Sequence, residues 1–183
     1  MLTLGHSTLP LEVFLDVLKQ NECSTLVDVR TIPRSRHNPQ FSSESLAISL
    51  PQAGIEYQWQ KELGGLRHAG KDSINMAWKN ASFRGYADYM QTSEFSTALG
   101  KLIATNLSCI PHECVILCAE AVPWRCHRSL IGDALLARGV PVEDIFVQKN
   151  GSSTKKPHTF TSFAHVEGTR VTYPGDQQTL QWE

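Results

Sequence analysis

The chain has 183 residues, 41% of them hydrophobic, and 17 basic against 18 acidic side chains, for a net charge of -1. That length and apolar content suit one globular domain with a real core, and the near-zero charge argues against a protein held to nucleic acid by bulk electrostatics. No run of about 18 apolar residues occurs, so no membrane span is expected. Five cysteines and a first apolar strand that starts at Met1, with no room for a signal peptide, predict reduced thiols and a cytoplasmic location.

In chain order, Leu2 to Gly5 reads as a first strand, followed by Gly5-His6-Ser7. A helix is expected from about Pro10, with Val13, Phe14, Val17 and Leu18 as its buried stripe. Thr25 to Arg30 reads as a second strand that ends in a loop carrying Arg30, Arg34 and Arg36. Ser42 to Ala53 suits a helix stopped by Gly54, and Ile55 to Trp59 a third strand leading into Leu63-Gly64-Gly65-Leu66-Arg67. Residues 68–81 read as irregular, and 83–106 as one broken helix or two. A fourth strand covers Cys114 to Cys118, a helix runs from Cys126 to Arg138, and a fifth strand spans Val142 to Gln148. Strands alternating with helices predict a three-layer α/β domain over residues 1–150, with a mostly parallel sheet of about five strands. Residues 151–157 read as a flexible link. The tail, 151–183, is expected to form a small hairpin about Glu167-Gly168-Thr169 whose apolar residues cover a sheet edge or a helix face of the same domain.

The chemistry collects at the predicted strand ends. His6 and Ser7 follow strand one, Asp28 and Arg30 end strand two, Arg67 follows strand three, and Cys118 and Glu120 end strand four. In an open parallel sheet these ends share the edge where ligands bind. The stretch Val115 to Arg128, VILCAEAVPWRCHR, adds Arg125, Cys126, His127 and Arg128 at a helix start, where free N–H groups and the helix dipole favour anions. Cys118, Glu120, Cys126 and His127 are the candidate catalytic residues. His6, Ser7, Arg30, Arg34, Arg36, Arg67, Arg125 and Arg128 are the candidate anion binders, since arginine grips phosphate or carboxylate with two parallel bonds. Cys126 is expected in the first helical turn, with its thiolate stabilised by Arg125 and His127. Cys118 reads more readily as a small buried hydrophobe, and Cys23, Cys109 and Cys114 as packing.

Gly5-His6-Ser7, Asp28-Val29-Arg30 with Pro33-Arg34-Ser35-Arg36, Leu63-Gly64-Gly65, Phe83-Arg84-Gly85-Tyr86-Ala87, and above all Cys118-Ala119-Glu120 with Cys126-His127-Arg128, resemble the bacterial family catalogued as domain of unknown function 488. The resemblance runs over nearly the whole chain, including Tyr173-Pro174, and implies a cytoplasmic prokaryotic α/β protein. A fainter similarity joins the Asp-Val-Arg strand end and thiol loop to rhodaneses and protein phosphatases. The phosphatase loop needs five residues between cysteine and arginine, whereas Cys118 and Arg125 have six between them.

Three functions follow from these residues. The first is an enzyme acting on a phosphate-bearing or nucleotide-like ligand, with Cys126 and His127 doing nucleophilic or acid–base work. The second is a metal site of Cys118, Cys126 and His127, with His6 or Glu120 as further ligands; it ranks lower because seven residues separate the cysteines, unlike a zinc knuckle. The third is a non-catalytic nucleic-acid module using the arginines and tryptophans. The cofactor, the substrate and the oligomeric state stay open.

Overall fold

The computed structural model describes residues 1–148 and 150–175, so the part of the expected tail beyond Gly175 lies outside the described residues. Strands β1 (Leu2–Gly5), β2 (Cys23–Asp28), β3 (Glu56–Trp59), β4 (Glu113–Cys118), β5 (Glu143–Val147) and β6 (Ser153–Pro157) form one sheet in the order β3-β2-β4-β1-β5-β6. All neighbours are parallel except β5 and β6, which pair antiparallel. The central strands are apolar on both sides because both faces are covered, as a parallel sheet requires. Leu2, Leu4, Leu26, Val115 and Leu117 face helices α1 (Leu11–Gln20) and α2 (Ser43–Gln52). Val27, Cys114 and Ile116 face α3 (Ala81–Tyr89), α4 (Ser93–Ser108) and α5 (Arg128–Leu136) on the other side. The expected three-layer α/β arrangement is therefore present.

Local chemistry sets the helix boundaries. The Ser42 hydroxyl accepts from the Ser45 amide, Asn80 from those of Ser82 and Phe83, and Thr92 from that of Phe95, so each satisfies amides that the first helical turn leaves free. The segment 83–106 thus resolves into two helices. Among the described residues, no helix is long and apolar enough to cross a membrane.

Two expectations need correction. Residues 153–157, read as part of a flexible link, form β6, which brings the mostly parallel sheet to six strands. Their Ser, Thr and Lys content suits an edge strand, where Lys155 and Lys156 discourage pairing with a further chain. The hairpin exists, as β7 (His165–Glu167) and β8 (Arg170–Thr172), and of its two expected seats it takes the helix face, since β6 holds the sheet edge. It packs on the α3–α5 face, where Val171 and Tyr173 are buried. Helix α5 begins at Arg128, not Cys126, with His127 as its N-cap.

One polar cluster ties the C-terminal part to the core. His158 bonds Asp144 through Nδ1 (2.9 Å) and Asp133 through Nε2 (3.2 Å), while Asp133 also accepts from the Tyr173 hydroxyl (2.7 Å) and the Thr161 amide (3.1 Å). Thr3 donates to the remaining oxygen of Asp144. Burial alone would lower the His158 pKa, but its bonds to Asp133 and Asp144 prevail and push it up to about 9.

Candidate functional site

Strands β1, β2 and β4 lie side by side, with Gly5 paired to Cys118 and Asp28 to Leu117, so their C-terminal ends share one edge. After Cys118 the chain loops outward, turns through a short 3-10 segment at Pro123–Arg125, and returns to Cys126 immediately before α5. Two features fold it back. Arg128, 1% exposed, donates to the carbonyls of Glu120 (2.6 Å) and Ala121 (2.9 Å). Gly5 leaves the Glu120 carbonyl room, since a Cβ there would collide with that oxygen. The gap between the cysteines is thereby closed in space.

At the base of this fold-back, Cys118 Sγ, Cys126 Sγ and a nitrogen of His127 all lie within 4.8 Å of one another. His127 Nε2 donates to the Val29 carbonyl (3.2 Å), which leaves the Nδ1 lone pair facing the sulfurs, 3.7 Å from Cys126 and 4.0 Å from Cys118. The loop carrying Gly65 packs on the imidazole so closely that a Cβ would fall 2.5 Å from Nδ1. The Arg128 amide donates to Cys126 Sγ (3.5 Å).

Of the two thiols, Cys118 has the lowered pKa and Cys126 the raised one, against the expectation for Cys126. The neighbouring Cys126 S–H, with the Arg128 charge adding to the effect, holds the Cys118 thiol well below the ordinary range despite burial. Hydrogen bonding to Cys118, followed by burial, raises Cys126 well above it. Cys126 precedes the helix with φ -137°, so it does not sit in the first turn as expected. Cys118 is buried, as a small hydrophobe would be, yet it lies in the cluster.

The proposed anion binders mostly serve other purposes. Arg30 is buried, paired with Asp28, bonded to the Phe41 carbonyl, and directed through Nη1 to His6 Nε2 (3.1 Å). His6 donates Nδ1–H to the Ser7 carbonyl (2.9 Å) and stacks on Phe41, and burial together with Arg30 lowers its pKa to about 4, so the ring is neutral. Ser7 turns the chain with φ 46°, its amide reaching the Ala119 carbonyl (2.8 Å). Arg67 donates to the Gly64 and Glu62 carbonyls and lies 3.6 Å over the Tyr89 ring. Arg34 pairs with Glu44 in solvent, and Arg36 is exposed. Arg128 is committed to the loop carbonyls. These arginines read as ligand grips because sequence alone does not show which carbonyls and carboxylates already occupy them.

Above the cluster lies an open cavity of about 470 Å³. Cys118, Cys126 and His127 line it, Glu120 and Arg125 stand exposed at its rim, and Arg30 contributes to the wall. Arg125 has no ion pair among the described residues. Thr31, Leu66, Ser82 and Phe83 complete the wall without being recognisable as site residues in the sequence; only the Phe83-Arg84-Gly85 motif hints at them. Cys23, Cys109 and Cys114 are free and buried away from this cavity, as packing residues.

No curated protein and no solved structure matches the chain. A family model described as "Domain of unknown function DUF488" matches residues 10–135, a span with Cys118, Cys126, His127 and every cavity-lining residue inside it. The match covers well over half the chain, which therefore belongs to that family.

Proposed function

We propose that the chain is an enzyme acting on a small anionic ligand, phosphate-bearing or nucleotide-like, at the cavity over Cys118, Cys126 and His127. One observation carries this reading: the cavity floor gathers two sulfurs and an imidazole nitrogen, while its rim presents an arginine with no carboxylate partner among the described residues. A floor of buried reactive groups beneath a cationic rim is how a site draws in an anion and then acts on it. Arg125 captures the anion and Glu120 stands where it can accept or return a proton. The sulfurs and His127 Nδ1 form the chemical centre. A thiolate there has two uses, attack on the ligand or ligation of an ion. Five free cysteines suit a reducing, cytoplasmic setting, which belongs to the same proposal. The non-catalytic nucleic-acid reading has less support, since Arg34, Arg36 and Arg67 do not line the cavity.

The test is iodoacetamide labelling of the metal-free chain, with modified cysteines located by mass spectrometry, with and without inorganic phosphate. Phosphate should slow labelling of Cys118, and Arg125→Ala should weaken that protection. Labelling of Cys118 that no phosphate concentration slows, in a folded chain, would remove the anionic ligand from the proposal.

A further inference from the structure

We infer that Cys118, Cys126 and His127 are three ligands of a tetrahedral zinc-class ion whose fourth position opens into the cavity. The inference rests on the proposed function for its site and names the cofactor class of that site.

The geometry is the first argument. A tetrahedral ion with sulfur at about 2.3 Å and nitrogen at about 2.0–2.1 Å sets S···N edges of roughly 3.6 Å and an S···S edge of roughly 3.8 Å. The two S···N separations are 3.7 and 4.0 Å, and no donor pair exceeds 4.8 Å. These gaps are long for direct hydrogen bonds to nitrogen yet close to the edges of a coordination tetrahedron. Shifts of a few tenths of an ångström would bring the S···N edges to these lengths, and the sulfurs, no more than 4.8 Å apart, would have to close to about 3.8 Å.

The surroundings supply the second argument. A ligating histidine commonly donates its other ring N–H to a carbonyl or carboxylate, which fixes the tautomer and aims the lone pair. His127 does this through Nε2 to Val29, and the Arg128 amide bonds Cys126 Sγ from outside the cluster. Two thiolates and one imidazole form a borderline-soft set suited to zinc, with iron(II) next.

Charge identifies the fourth ligand. A divalent ion with two thiolates is neutral, and Arg128 is buried beside it with no carboxylate partner among the described residues. An anion at the fourth position balances that guanidinium. The candidates are hydroxide, the Glu120 carboxylate from the rim, or the anionic group of the ligand. Catalytic zinc sites with three protein ligands keep this position open for water or substrate, whereas structural sites close it with a fourth side chain.

The test uses the full chain. After dialysis against a chelator, cobalt(II) is titrated in and the spectrum recorded. One equivalent should produce intense tetrahedral visible bands with a near-ultraviolet thiolate-to-cobalt band, and zinc should displace it. Cys118→Ser, Cys126→Ser and His127→Ala should each lower cobalt affinity at least about 100-fold, the upper end of the cost of losing even an outer-shell partner. Cys23→Ser should change nothing. Circular dichroism checks that each variant is folded, and the spectrum of the unaltered chain tests the ion site without any variant. Weak octahedral bands only, or identical affinity in the Cys118 and Cys126 variants, would overturn the ion site. If phosphate still protects Cys118 in that event, the anionic-ligand reading stands alone. A tetrahedral cobalt spectrum without phosphate protection would leave the ion and remove that ligand.

Discussion

Two histidines in this protein sit between pairs of acidic groups, with opposite results. His158 lies between the carboxylates of Asp133 and Asp144, and His127 faces the thiols of Cys118 and Cys126. Around His158 every polar side-chain atom is taken, with Thr3, Tyr173 and the Thr161 amide completing the set. That cluster also borders a cavity, of about 450 Å³, yet offers a ligand nothing. Around His127 one ring nitrogen is anchored while the other and two sulfurs keep unused lone pairs beneath an open cavity. Titratable groups in close array do not by themselves make a site. Valence left over and a route to it do.

If this contrast holds, the first cluster governs stability and the second binding. The largest effect should come from Asp133→Ala, which strips a fully buried carboxylate from His158 and Tyr173. Breaking a buried charged network in this way costs about 3–5 kcal/mol, read as a lower midpoint in urea unfolding. A loss below about 1 kcal/mol, the worth of a surface pair, would make the two clusters alike.

The pH dependence of stability comes next. His158 has its folded pKa raised to about 9 from 6.5, so its contribution is complete below pH 6.5 and is lost as pH rises through 9. Over that window the loss is on the order of 3 kcal/mol. His6 behaves in the opposite sense: with its folded pKa lowered to about 4, its contribution is complete above 6.5 and fades as pH falls toward 4. Urea midpoints across pH should therefore peak near 6.5, and His158→Gln should flatten the alkaline side alone. An unchanged alkaline limb in that variant would remove His158 as its cause.

Gly65→Ala should act on binding more than on folding. Its Cβ would overlap His127 Nδ1, so the loop or the ring must move, at about 1–3 kcal/mol for overpacking. Cobalt affinity should fall with the ring displaced. Wild-type affinity would show that the loop yields instead and that Gly65 does not fix the ring. The smallest effect belongs to Arg125→Ala, which should weaken phosphate protection of Cys118 about tenfold, or ~1.4 kcal/mol, and leave unfolding unchanged. Arg34→Ala, whose guanidinium pairs with Glu44 in solvent, should alter neither.

Much of the architecture was readable from periodicity. Val115 to Leu117 alternates between the two cores, and Phe14, Val17 and Leu18 lie on one face of α1, as their spacing indicates. Strand β6 was hidden because an edge strand in solvent needs no apolar alternation, so Ser153 to Pro157 look like a linker. The convergence of Cys118, Cys126 and His127 was readable from strand-end position, but their geometry was not. Spacing argued against a shared ion, but the grip of Arg128 on the Glu120 and Ala121 carbonyls, with Gly5 leaving room, brings the sulfurs together. Local residue types likewise favoured a lowered pKa at Cys126, whereas its thiol is raised by Cys118, eight positions earlier in the chain.

That grip has a consequence for how an ion would enter. In a zinc finger the metal must organise an unfolded chain, so the energy of ligation is largely consumed by folding. Here a guanidinium inside the protein clasps the loop through protein–protein hydrogen bonds, and Gly5 makes room for it. The proposed chelate ring would thus be closed by contacts that do not involve the ion. Ligand affinity then benefits from preorganisation, and a chelator should strip the ion while leaving the far-ultraviolet circular dichroism unchanged. If the inferred ion binds, its exchange and the unfolding of the domain would be separate events on separate timescales.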